Sequence, residues 1–190
     1  MFFMIVLGLI FAGFAIFSSA ALGMLARESG SISKDIFFQS GLGLGLGFIA
    51  LFAARAISFT FIKRVSPYIY LLTILITALV FVPELGHTAN GATRWIDFGF
   101  ATVQPAEFLK IGFVLMLAWW LSPHARQLAD QKKGLLPFIA ILTLPISLLL
   151  AQPNTSNAIL LLVTGAVMYF AAGAPWRDFG ILALLSVVAF

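Results

Sequence analysis

Apolar runs long enough to cross a bilayer alternate along this chain with short polar connectors. A spanning helix needs about 20 mostly apolar residues. Residues 1–25 carry no charge and meet that length. They have no basic leading region and exceed a signal peptide's apolar stretch, so they read as a retained helix, although Ser18-Ser19-Ala20-Ala21 is similar to a cleavage site. A connector with Arg27, Glu28, Lys34 and Asp35 leads to a second crossing at residues 36–54. Arg55, Lys63 and Arg64 flank the next connector, and residues 65–82 make a third crossing with Pro67 near its start. A polar loop at residues 83–104 precedes a fourth crossing at 105–121. Beyond His124, Arg126, Asp130, Lys132 and Lys133 lie a fifth crossing at 135–151 and a sixth at 158–174. The seventh apolar run opens at Phe179 and reaches Phe190 after about a dozen residues, too short to span alone. The pattern therefore predicts an all-α polytopic transmembrane bundle, six complete crossings plus a truncated seventh, in one integral membrane domain over residues 1–190.

Charge placement predicts the orientation. Arg55, Lys63, Arg64, Arg126, Lys132, Lys133 and Arg177 fall in connectors on one side. The other side holds Arg27, Lys34 and Arg94 against Glu28, Asp35, Glu84 and Asp97. Cytoplasmic loops carry the Lys/Arg excess, which puts the amino terminus inside and the 83–104 loop outside.

Composition agrees. Hydrophobic residues make up 62% and charged residues 9%, whereas a soluble domain carries about 25% charge. The absence of cysteine removes disulfides, thiolate metal sites and thiol nucleophiles from consideration. A net charge of +4 would allow nucleic acid as a partner, but the basic residues form no aromatic-interleaved patch and fit the topological role better.

Against this background the stretch from Asn90 to Lys110 stands out. Charges at membrane depth cost a few kcal/mol each and are read as functional by default. Pro105 suits a first helical position, and the residue before it, Gln104, is pushed to extended backbone. Glu107 then lies in the first turn, favourable to the helix dipole, with Lys110 three residues on and on the same face. The two make either an interfacial ion pair with a snorkelling lysine or the lining of a polar cavity open to the outer side. Asn90-Gly91 signals a turn. Trp95 suits the headgroup level, and the Arg94 guanidinium suits fork-like binding of phosphate or pyrophosphate oxygens. A phospholipid-like or polyprenyl-phosphate substrate follows.

Gly91-Ala92, Arg94-Trp95-Ile96, Gly99, Gln104-Pro105, Glu107 and Lys110 resemble, in order and spacing, the signature of the SEDS family (shape, elongation, division and sporulation), the FtsW/RodA/SpoVE group. Ser18-Ser19-Ala20 is similar to the family's serine-rich end of its first helix, and Gln152-Pro153 sits where the family has Q-P-D-x-G-T. There the chain departs, with Asn154 for the aspartate, Ser156 for the glycine and Asn157 for the threonine. The change removes a charge and puts in doubt any role of that acid here. The resemblance implies a ten-helix fold whose first seven helices lie in this chain. It also implies a peptidoglycan glycosyltransferase that polymerises lipid II at the outer face of the bacterial cytoplasmic membrane. The catalytic aspartate it implies falls in an outer loop beyond Phe190, so the segment alone is expected to be inactive. Arg94, Trp95, Gln104, Glu107 and Lys110 are the substrate-binding candidates. The implied partners are lipid II, a class B penicillin-binding transpeptidase, the division or elongation machinery and membrane lipids, with no nucleic acid. The resemblance implies no definite cofactor and leaves room for a divalent cation near the pyrophosphate. Arg94-Trp95-Ile96-Asp97 and Gln104-Pro105-Ala106-Glu107 lean towards the division branch.

Two rival readings remain at this level: a lipid II flippase or other carrier using Glu107 and Lys110 as a polar path, and a non-catalytic scaffold. Gly41, Gly43, Gly45 and Gly47 have the spacing of close helix packing and lack the Lys-Ser/Thr partner of a phosphate loop. His87 and His124 fall on opposite sides of the membrane by this topology and are expected to be solvated loop residues that share no metal.

Overall fold

The computed structural model describes residues 2–25, 43–83, 85–89, 91–97 and 102–189. The connector from Arg27 to Asp35, the start of the second crossing with Gly41, and Glu84, Asn90 and Gly99 lie outside them. The chain divides into two compact units, residues 1–58 and 59–190.

The first unit holds α1 (Phe2–Leu25) and α2 (Gly43–Ala56). A Cβ built on Gly43, Gly45 or Gly47 meets no atom within 4 Å. The close approach expected of that glycine spacing is therefore not made among the described residues.

In the second unit, α3 (Phe59–Ala78) runs through a 3-10 turn at Leu79–Phe81 into three strands: β1 (Gly86–Ala89), β2 (Ala92–Asp97) and β3 (Thr102–Val103). Then come α4 (Pro105–His124), a second 3-10 turn (Ala125–Gln127), α5 (Leu135–Ala151), α6 (Thr155–Ala171) and α7 (Arg177–Ala189). Two stretches among the described residues, Phe59–Phe81 and Pro105–Gln127, are each long and apolar enough to cross a membrane. The apolar helices α5 and α6 are shorter, at 17 residues each. α5 coincides with the expected fifth crossing. α3 starts six residues earlier than expected, taking in Lys63 and Arg64, whose long stems let a charge near a helix end reach water. α6 starts three residues earlier, at Thr155.

α4 is the central helix. Leu109, Phe113 and Leu117 are completely buried at successive turns. They join Phe138, Leu142, Leu149, Leu161 and Tyr169 in one core. Two glycines outside the expected glycine-rich run set the helix spacing here. A Cβ on Gly112 would fall on the Thr73 hydroxyl of α3, and one on Gly165 would come within 3.0 Å of the Phe113 ring and 3.2 Å of Leu142. Small residues are what allow apolar helices to approach this closely.

Hydroxyls of α3 inside the bundle bond to backbone carbonyls. Thr73 Oγ1 donates to the Tyr70 carbonyl at 2.9 Å, and Thr77 Oγ1 to that of Thr73 at 2.7 Å. Pro145 lies inside α5 and has no N–H, so the Ile141 carbonyl one turn earlier loses its helical donor. Tyr70 Oη of α3 donates to that carbonyl at 2.6 Å. A freed backbone acceptor in an apolar bundle needs such a partner, and this one stitches α3 to α5.

Residues 83–104 are more than the polar loop expected. β1 and β2 pair antiparallel, with Ala89 opposite Ala92 and a bulge between His87 and Thr88. Gly91 lies in the connection between them. Gly91 has φ +76°, the left-handed backbone that tight hairpin turns require and glycine adopts without strain. Ile96 and Asp97 of β2 pair in turn with Val103 and Thr102 of β3.

Candidate substrate-binding site

Two residues after β3, the chain turns into α4. Gln104 is extended (φ −95°, ψ 107°) and Pro105 opens the helix, as the sequence implied. The Gln104 carbonyl accepts a hydrogen bond from the Glu107 amide at 3.1 Å, so the first turn is closed from outside the helix. Sheet and helix form one connected body: β2 is hydrogen-bonded to β3 and also packs against α4.

Lys110 and Glu107 pair. Lys110 Nζ lies 2.8 Å from both carboxylate oxygens of Glu107. The lysine side chain is 27% exposed and the glutamate 56%, so the cation lies deeper and the carboxylate faces outward. Lys110 also borders a cavity of about 90 Å³ between α4 and α6, with Phe113, Val114, Leu160, Leu161 and Thr164. At about 30 Å³ per water it would hold about three waters, not a sugar. Its lining is mainly apolar, with Lys110 and Thr164 as the polar members. Sequence reasoning did not single out Thr164, which sits unremarked in an apolar run.

Arg94 and Trp95 are adjacent in sequence but differ in pairing. His87 pairs with Trp95 and Thr88 with Thr93, which leaves Arg94 as the extra residue of the bulge. Ala92 and Ile96 are the buried residues of β2. Thr93 meets its partner Thr88 hydroxyl to hydroxyl at 2.8 Å. Arg94 and Trp95 are both part-buried. The bulge thus sets Arg94 apart from the paired positions on either side of it.

The loop between α5 and α6 adds two buried amides. Gln152 is 2% exposed and its Nε2 donates to the Thr77 carbonyl at 2.8 Å. Asn154, also 2% exposed, stands at the start of α6 without capping it through its side chain. Its Nδ2 has no partner among the described residues. A carboxylate at this position would be a buried charge, costly unless paired; the amide carries no such penalty. His124 is not a solvated loop residue. It ends α4, with its ring stacked on Trp120 at 5.5 Å and its Nδ1 2.8 Å from the Trp120 carbonyl oxygen.

At the opposite end of the bundle, Tyr169 Oη donates to Asp178 Oδ2 at 2.9 Å, and Asp178 is completely buried. Arg177 reaches back to the Ala129 carbonyl and pairs with Asp178, fastening the 125–134 connector to α7. Sequence reasoning used Arg177 for topology alone and passed over Asp178.

Comparisons with known proteins identify the family. A family model described as a cell cycle protein of the FtsW, RodA and SpoVE type matches residues 1–190. A protein of Allochromatium vinosum named probable peptidoglycan glycosyltransferase FtsW is 30% identical over 182 residues, covering 96% of this chain and 45% of its own length. Stage V sporulation protein E of Bacillus subtilis is 28% identical over 159 residues, covering 82% of this chain and 43% of its own. The chain thus spans about half the length of the curated relatives it matches. Among solved structures, a chain from a study of how a peptidoglycan synthase complex coordinates polymerization and crosslinking matches with a TM-score of 0.73 and 30% identity, over 95% of this chain and 52% of that one. The rod shape determining protein RodA of Thermus thermophilus matches with a TM-score of 0.61 and 26% identity, over 91% and 58%. With its sheet-to-helix signature in place and the family model matched from end to end, the chain belongs to the SEDS family of FtsW, RodA and SpoVE proteins.

Proposed function

We propose that this chain supplies the amino-terminal part of a peptidoglycan glycosyltransferase that polymerises lipid II. Its sheet would lie on the outer side of the bacterial cytoplasmic membrane and its amino terminus inside, with α1 to α7 as successive crossings. The observation that carries the reading is the joining of Arg94 and the Lys110–Glu107 pair through β2, β3 and the first turn of α4. Arg94 binds pyrophosphate oxygens in fork geometry. Lys110 adds a second positive charge nearer the hydrocarbon, held in place by Glu107. Gln104 sets the angle between sheet and helix, and Trp95 seats the sheet at headgroup level. The general base that activates the acceptor hydroxyl comes from outside residues 1–190. No three His, Asp or Glu side chains converge among the described residues; a divalent ion at the pyrophosphate would add its charge to that of Arg94 and Lys110. Phosphate charge is met by Arg94 and Lys110.

A carrier would need a continuous polar path, and the mainly apolar cavity beside Lys110 favours a polymerase over a flippase. The solved relative that couples polymerization to crosslinking supports a class B penicillin-binding transpeptidase as the partner. The test is lipid II polymerisation by the full-length protein carrying Arg94→Ala. A charge-assisted hydrogen bond contributes about 1.5–3 kcal/mol, so turnover at limiting substrate should fall about 10- to 150-fold. Unchanged turnover would reject the assignment.

A further inference from the structure

We propose that a groove between α3 and α4, at the ends of these helices away from the sheet, holds one anionic glycerophospholipid of the adjoining leaflet. The groove encloses about 510 Å³, within the roughly 300–1,000 Å³ range of small-molecule sites. Lys63, Thr60 and Ser122 supply its polar wall, and Phe59, Leu115 and Trp119 its apolar one. No carboxylate lines it. A phosphate therefore finds one cation and two hydroxyl donors, while an acyl chain finds hydrocarbon and an indole suited to the headgroup level.

Two prolines sharpen the match. Pro67 lies inside α3 and Pro123 near the end of α4. Each lacks an N–H, so the carbonyls of Lys63 and Trp119, four residues before them, receive no helical hydrogen bond. Both residues line the groove. Backbone acceptors in a bilayer must be satisfied, and the side chain that met this need in α5, Tyr70, is engaged there. Ser66 is also engaged, on the Ile62 carbonyl. A headgroup that carries hydroxyl donors beside its phosphate answers both demands at one site. The proposal needs only that α3 and α4 lie in a membrane; it is independent of which way they point and of the polymerase reading.

The experiment places the full-length protein in nanodiscs of phosphatidylcholine, alone or mixed with phosphatidylglycerol, and counts retained lipids by native mass spectrometry. One phosphatidylglycerol should stay with each chain. Lys63→Gln should lower its retention about fivefold, the factor that one cation near an anionic lipid supplies. Ser122→Leu, which fills the groove with the lysine intact, should lower it as well. Lys132→Gln with Lys133→Gln, on the connector and outside the groove's lining, should leave it unchanged. Unchanged retention in Lys63→Gln, or equal loss in the connector variant, would overturn the proposal. The chain has no cysteine, so a disulfide between Phe52→Cys and Trp119→Cys in native membranes would show α2 filling the groove and would also overturn it. Lipid II turnover is read separately, so either result leaves that question open to its own test.

Discussion

Gly112→Ala tests the spacing of the helix that carries the candidate site. The added methyl would fall on Thr73 Oγ1 and lie 3.2 Å from its Cγ2 and 3.3 Å from its Cβ. Thr73 is 6% exposed and its hydroxyl is held by the Tyr70 carbonyl. A β-branched side chain on a helix has little rotamer freedom with which to yield, so α3 and α4 must part. Overpacking of this kind costs about 1–3 kcal/mol. Alanine's better helix propensity returns about 0.8–1 kcal/mol, for a net loss of roughly 0–2 kcal/mol. Thr73→Ala removes Oγ1 and Cγ2 and leaves only the Cβ contact. In that background Gly112→Ala should become stabilising by up to about 1 kcal/mol, a reversal of sign. Reversible unfolding of the four proteins in mixed micelles measures the cycle, with an expected coupling of about 1–3 kcal/mol. Lys110 lies two residues before Gly112, so lipid II turnover should fall in the single variant and recover in the double one. Effects that add within about 0.5 kcal/mol would refute the argument that Thr73 is what Gly112 makes room for.

The remaining predictions concern polar groups. Tyr70→Phe strips the Ile141 carbonyl of its donor and should cost about 1–3 kcal/mol of unfolding free energy. With Pro145→Ala the restored amide at position 145 serves that carbonyl, and the cost should shrink; equal cost in both backgrounds would refute the stitch. Glu107→Gln leaves Lys110 unpaired. Because the glutamate is more than half exposed, solvent screening limits the loss to about 1 kcal/mol, and adding Lys110→Met should recover it in the same unfolding assay. Tyr169→Phe removes the donor to a completely buried carboxylate. It should cost about 1.5–3 kcal/mol and speed proteolysis of the 125–134 connector, whereas Asp178→Asn with Tyr169→Phe should lose less than Tyr169→Phe alone.

Much of this protein is legible in one dimension. Apolar run length determines where helices form, because hydrocarbon demands about 20 residues whose backbone bonds close internally; α5 matches its expected bounds residue for residue. Pro105 and Gln104 state the start of α4 in local backbone chemistry, and the three-residue spacing of Glu107 and Lys110 states their pairing. The order of residues from Gly91 to Lys110 carries the family. Asn90-Gly91 announced a turn, and Thr93 and Ile96 beyond it favour a strand, so the hairpin was partly readable too. Partner and depth were not readable. Whether a glycine packs depends on what faces it, which is why Gly112 and Gly165 set helix spacing while Gly43, Gly45 and Gly47 of α2 meet nothing within 4 Å among the described residues. Arg94 and Trp95 look like one unit in sequence, yet only Trp95 keeps a ladder partner once β2 pairs with β1, and Arg94 becomes the extra residue of a bulge. Tyr70 and Ile141, 71 positions apart, meet only because a proline frees a carbonyl where α3 passes α5. Local bonds and run lengths are properties of a segment and can be read from it; burial, facing and the rescue of freed backbone groups belong to pairs of segments, and only the tertiary structure brings those pairs together.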